Sequence, residues 1–120
     1  MDRRAVLERC RQLSGATEEF PFGQTVAVFK IGGRMFALIT IEGEPAQVSL
    51  KCDPGFASLL REHYPAVTAG YHLNKRHWNT VTLDGSVPAR ELLAWVDDSY
   101  ALVVAGLSRA ERARLPQTLP

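Results

Sequence analysis

From Tyr71 to Asn79 the chain reads Tyr-His-Leu-Asn-Lys-Arg-His-Trp-Asn, and only Leu73 in this run lacks a polar atom in its side chain. Imidazoles move protons or hold metals. Guanidinium and ammonium groups meet phosphates and carboxylates, and an indole stacks on a base. Loops that gather such groups are where proteins recognise their partners. The segment is therefore a candidate surface site, but its residue types name no reaction.

Catalytic constellations find little support. Acyl transfer would show a G-x-S-x-G elbow, which this chain does not contain. Cys52 with His72 or His77 would make a thiol–imidazole pair, yet Cys52 falls on the apolar face of its strand. Both Cys10 and Cys52 are expected buried and reduced, with no disulfide framework or zinc knuckle. A metal centre needs three or four ligands in register. His72 and His77 lie five apart without an acid or thiol beside them, and Glu18-Glu19 is only a pair of acids on a sheet edge. Gly32-Gly33 joins two strands instead of opening a helix, which makes it a hairpin turn and not a phosphate loop. No cofactor and no metal is expected, and the chain reads as non-enzymatic.

Binding remains. Lys30 and Arg34 flank the Gly32-Gly33 tip, Lys51 ends a strand, and Asn74, Lys75, Arg76, His77 and Trp78 follow one another in the loop. These are the candidate ligand-binding or nucleic-acid-binding residues. If His77–Leu83 is a strand, Val81 and Leu83 face the helices and Trp78 lies on the opposite face. An exposed Trp78 among Lys51, Lys75 and Arg76 could stack a base while the cations hold phosphate. In the other arrangement Trp78 packs beneath the 65–75 loop and Lys51 covers its ring. The formal net charge is +1, whereas strong non-specific nucleic-acid binders carry a clear basic excess. Any nucleic-acid contact must rest on local clustering.

The elements that position these residues follow from periodicity. Residues 2–14 predict an amphipathic helix with Val6, Cys10 and Leu13 on one face. Glu18–Gly23 is extended and belongs at an edge, because Pro21 cannot serve a central ladder. Thr25–Ile31, Arg34–Ile41 and Ala46–Cys52 predict an antiparallel meander. Asp53-Pro54 is a helix start, with Asp as N-cap and Pro at the first position; Phe56, Leu59, Leu60 and His63 are its expected inward stripe. A polar loop and the 77–83 strand come next. A long helix over about 88–107 buries Leu92, Val96, Tyr100, Val103 and Leu107, and Ser108 with Glu111 caps a short last helix. Leu115 to Pro120 is expected to fray. The order α-β-β-β(-β)-α-β-α predicts an α+β fold, a single antiparallel sheet of four to five strands with helices on one face. At 120 residues the chain makes one domain, spanning 1–120.

Pro21-Phe22-Gly23, Val28–Ala37, Ser49–Pro54, Gly70–Val81 and Asp98-Ser99-Tyr100 together resemble the MmcQ/YjbR family of small bacterial proteins. The resemblance implies a fold similar to type III secretion chaperones. It also implies the family's customary label, DNA-binding, attached to a proposed double-wing motif, and it brings no catalytic residues. The second hairpin tip carries Glu42 and Glu44, the wrong sign for a phosphate grip. Two partners follow as expectations: DNA, or alternatively a protein or peptide bound by an adaptor. No apolar run approaches the ~18–20 residues of a membrane span. The first residues lead into an amphipathic segment and not a signal-peptide core. A cytoplasmic protein without a membrane partner is expected.

Overall fold

The computed structural model describes residues 3–70 and 73–115. Tyr71, His72 and the 116–120 tail, including the expected frayed end, lie outside the described residues.

The meander forms as its alternation predicts. Strands β2 (Val26–Ile31), β3 (Arg34–Thr40) and β4 (Gln47–Lys51) pair antiparallel in order. Gly32 and Gly33 both take positive φ, 60° and 80°, the pair of values that a type I′ hairpin turn requires. The sheet has six strands, not four to five. The strand not foreseen is the three-residue β5 (Val67–Ala69) beside β6 (Trp78–Thr82), which carries too little pattern to be read; β1 (Thr17–Glu19), beside β2, is the expected edge. The order across the sheet is β1-β2-β3-β4-β6-β5. Pro21 ends the edge early, so only 18–19 of the expected 18–23 segment lies in a strand.

Helices α1 (Arg3–Gln12) and α3 (Ala89–Ala105) pack on one another and both touch β3, while α2 (Pro54–His63) covers β5 and β6. All lie on one face. The long-helix stripe is buried as its spacing predicts: Leu92, Val96, Tyr100, Val103 and Leu107 are inside. Ser108 and Glu111 form the expected capping box at α4 (Arg109–Ala113), and Arg112 donates to the last carbonyls of α3.

Ser99 has a specific task in this core. The register sets Ala37 opposite Leu50 and then lapses, because β3 carries an extra residue, Phe36, in a bulge against β2. The fully buried Ser99 hydroxyl donates to Phe36 O at 2.6 Å and accepts from Lys51 N at 2.9 Å. A helix side chain thereby completes a lapsed sheet ladder. A mid-helix serine more often bonds a carbonyl one turn back on its own helix.

One stripe departs from expectation. Asp53 caps α2 through Gly55 N and Phe56 N, as its Asp-Pro start predicts, but the helix turns Ala57 and Leu60 inward. Phe56 and Leu59 stay exposed, at 41% and 60%. The reason is lateral: α2 sits over the β5–β6 edge, where a ten-residue helix has sheet beneath only one narrow side.

Candidate functional site

Antiparallel alternation gathers the predicted residues. The C-terminal end of β2, the start of β3, the end of β4 and the start of β6 all lie at one end of the sheet. Lys30, Arg34, Lys51 and the Asn74–Trp78 turn are thus neighbours along a single rim, although the sequence scatters them. Lys51 and Trp78 are register partners, on the face away from the helices. The second hairpin tip, with Glu42 and Glu44, is at the opposite end, one β3 length away, roughly 23 Å for seven residues. The two hairpin tips thus lie at opposite ends of the sheet, one flanked by Lys30 and Arg34 and the other carrying Glu42 and Glu44, with Glu44 paired to Arg3 at 3.2 Å.

Much of the rim's polarity is spent internally. Asn74 builds its own turn: its Oδ1 accepts from Arg76 N at 3.0 Å, and its carbonyl accepts from Trp78 N at 3.0 Å. Lys75 Nζ donates to Gly70 O at 3.1 Å, and Arg61 reaches Lys75 O. Lys30 pairs with Glu19 at 3.2 Å and Arg34 with Glu111 at 3.4 Å. Trp78 is buried, with 8% of its surface exposed. It does not offer a ring for base stacking, because Gly70 lies directly against it. A Cβ on Gly70 would fall 2.6 Å from Trp78 Cβ and 3.0 Å from its carbonyl oxygen. Arg76 is exposed and its guanidinium has no ion pair among the described residues, while His77 is half-buried.

A second feature lies on the helix side. Helices α2 and α3 touch at one end, where Tyr64 meets Trp95 edge-on at 5.3 Å and donates to Glu91 at 2.9 Å. Toward Phe56 and Leu102 they diverge, leaving a cleft of about 410 Å³. Its floor is Leu50, Val67, Val81 and Asn79 from the sheet. It opens because α3 presents Ala101 and Ala105, one turn apart, where larger side chains would have closed it. Cys52, Asp53 and Asp98 form its one polar corner. Cys52 is half-buried and unpaired, not fully buried as expected. Burial, with the negative charges of Asp53 and Asp98, pushes its thiol up to about 11.

Asn79 is the cleft's unusual residue. It is 3% exposed, its Nδ2 donates to Ala57 O at 3.3 Å, and its Oδ1 is buried without a hydrogen-bond partner. Buried polar atoms in folded proteins are seldom left unmet.

The YjbR family model matches residues 11–102. The chain belongs to the YjbR family. The uncharacterized protein YjbR of Escherichia coli is 37% identical over 113 residues, covering 93% of this chain and 95% of that one. The uncharacterized protein YbdF of Escherichia coli is 38% identical over 97 residues, covering 80% and 79%. Among solved structures, the Deinococcus radiodurans protein DR2400 is 42% identical with a TM-score of 0.88, covering 98% of this chain and 91% of that one. A Pseudomonas syringae protein is 27% identical with a TM-score of 0.73, covering 85% and 98%. Within the YjbR span lie the 31–34 hairpin tip, the 74–78 turn and the cleft residues Cys52, Asn79, Trp95 and Asp98.

The cleft was not foreseen from the sequence, where Phe56, Leu59 and Leu60 read as ordinary core. A usable signal was present: a broad apolar face on α2 has no counterpart on an α3 face built of Asp98, Ala101 and Ala105. Among the described residues no group of three His, Cys, Asp or Glu could hold a metal ion, and no helix is long and apolar enough to cross a membrane.

Proposed function

We propose that this YjbR domain is a non-enzymatic binding protein whose anionic partner, DNA in the first instance, meets the basic end of the sheet. The supporting observation is convergence: Lys30, Arg34, Lys51, Lys75, Arg76 and His77 come from four separate segments to one rim. The Lys30–Glu19 and Arg34–Glu111 pairs are at the surface. Such pairs are worth about 0–1 kcal/mol, so a phosphate can replace the carboxylate at little cost. With Trp78 buried, the contacts are to phosphates and carry little sequence information. The non-enzymatic reading is supported by Cys52, whose thiol is held protonated at neutral pH and is a poor nucleophile. The two unpaired thiols suit a reducing compartment, the cytoplasm.

The test is fluorescence anisotropy on a short mixed-sequence duplex across a salt series. Affinity should fall with salt, and a Lys75→Ala/Arg76→Ala variant should flatten the slope by about one unit per lost phosphate contact. A variant of unchanged thermal stability and unchanged low-salt affinity removes the rim as the binding surface. The second reading, a protein- or peptide-binding adaptor, is favoured by exposed Phe56, Leu59 and Leu102. These would anchor an apolar helix laid along α2 and α3.

A further inference from the structure

We infer that the cleft between α2 and α3 binds a small, mainly apolar molecule carrying one N–H or O–H donor, which it presents to Asn79 Oδ1. Its shape, its lining and an unmet acceptor carry this.

The first is shape. A volume of about 410 Å³ lies in the ~300–1,000 Å³ range of small-molecule sites. Tyr64, just past α2, ties that helix to Glu91 and Trp95 of α3, and the cleft lies beyond this contact, toward Phe56 and Leu102. The second is lining. The sheet floor and helix walls are aliphatic apart from the aromatic Phe56 and Trp95 and the amide of Asn79, with Lys51, Cys52, Asp53 and Asp98 together at one corner. Apolar walls with few, fixed polar groups are what small-ligand pockets share.

The third is the unmet acceptor. Asn79 pairs with Leu50 in the ladder, and both line the floor. The amide orientation is determined by its neighbour: Nδ2 faces the Ala57 carbonyl at 3.3 Å. Reversing the amide would set two acceptors against each other. The atom left over is therefore an acceptor, buried and without a partner. It calls for a donor. A peptide lying across Phe56 and Leu102 would cover the mouth but would not reach the floor. A small molecule entering the cleft would reach the floor residues, and it meets Oδ1, which has no accessible surface of its own, once the Asn79 amide turns toward it. A bare apolar molecule would leave the acceptor unmet, so the donor belongs to the ligand's recognition.

Indole and 1-methylindole form a matched pair of probes, since methylation removes the donor and keeps the ring. Binding is followed by NMR on the full chain, reading the Asn79 side-chain amide and the Trp95 indole N–H. Indole is expected to shift both saturably, and 1-methylindole to bind about threefold to tenfold more weakly, the worth of one hydrogen bond. Ala101→Phe fills the cleft from a solvent-exposed position on α3 and should abolish the shifts with the amide spectrum otherwise retained. Ala105→Phe serves the same purpose if the first variant fails to fold. Asn79→Leu should erase the difference between the two probes. Equal affinity for both probes in the natural chain overturns the inference, as does any binding that survives a folded, filled cleft. Shifts confined to Phe56, Leu59 and Leu102 also overturn it. No saturable shift with either probe leaves Asn79 to a buried water and overturns it as well.

Discussion

The 73–79 turn and the α2–α3 cleft invert what their residue types suggest. The turn is rich in groups that could bind something, and it uses most of them on itself: Asn74 folds it, Lys75 ties it to Gly70, and Trp78 is packed beneath. The cleft is built of residues that read as core, yet it remains open, with a polar atom at its floor unmet. A side chain's chemistry lists what it can do. Its neighbours decide whether that capacity is already taken. Polar atoms seek local partners wherever the backbone supplies them, whereas apolar side chains close a gap only if the facing element brings enough volume.

The strongest way to break this comparison is Trp78→Ala. If Trp78 is core, urea unfolding should show a loss of about 3–5 kcal/mol, with the salt slope of any DNA binding unchanged. Near-wild-type stability would return the indole to the binding surface.

Cys52 tests the cleft. Its thiol is displaced from an ordinary 9.0 to about 11, so near pH 8 its thiolate is about a hundredfold scarcer than that of a free cysteine. Iodoacetamide labelling should therefore climb about tenfold per pH unit from 8 to 10. A free thiol would level off above 9. The linkage has a definite sign. A folded-state value above the unfolded one contributes stability below pH 9, lost as pH rises through about 11. Cys10, fully buried and pushed up to about 12, should stay unlabelled in the native protein. A plateau near pH 9 would place Cys52 in water and contradict the enclosed corner.

Gly70→Ala probes how tightly the turn is seated. With Trp78 Cβ 2.6 Å from the new methyl and the Trp78 carbonyl at 3.0 Å, backbone must move, and a cost of about 1–3 kcal/mol is expected in thermal unfolding. A neutral effect would mean that the turn stands free of β6.

The smallest effect is expected on the exposed side of α2. Leu59 is 60% exposed, so Leu59→Ser should change stability by no more than about 0.5 kcal/mol. A loss of more than 2 kcal/mol by the same measurement would show that α2 is packed as a core helix, and the contrast between the two regions would dissolve.

Local chemistry made much of the fold legible. Alternation placed β2, β3 and β4, paired glycines announced their turn, Asp53-Pro54 marked the start of α2, and Ser108 with Glu111 capped α4. These signals are short-range: a cap or a turn is satisfied by atoms within a few residues, so the sequence contains both halves of the interaction. The stripe of α3 was legible for a related reason. It runs across the middle of the sheet, where every inward side chain finds a partner.

Tertiary structure alone decided three things. The β5 edge exists only because a neighbouring strand offers hydrogen bonds to a segment too short to show a period. Ser99 gained its place because a bulge at Phe36 interrupted a ladder that a helix could complete. The candidate sites were decided the same way. Lys30, Arg34, Lys51 and Arg76 share a rim because antiparallel strands return to it. Phe56 and Leu59 stayed outside because α2 lies over an edge, opposite the small residues of α3. Composition determined which residues were apolar and which were charged. Which of them still lacked a partner after folding depended on contacts between segments far apart in the chain, and no local pattern encodes those.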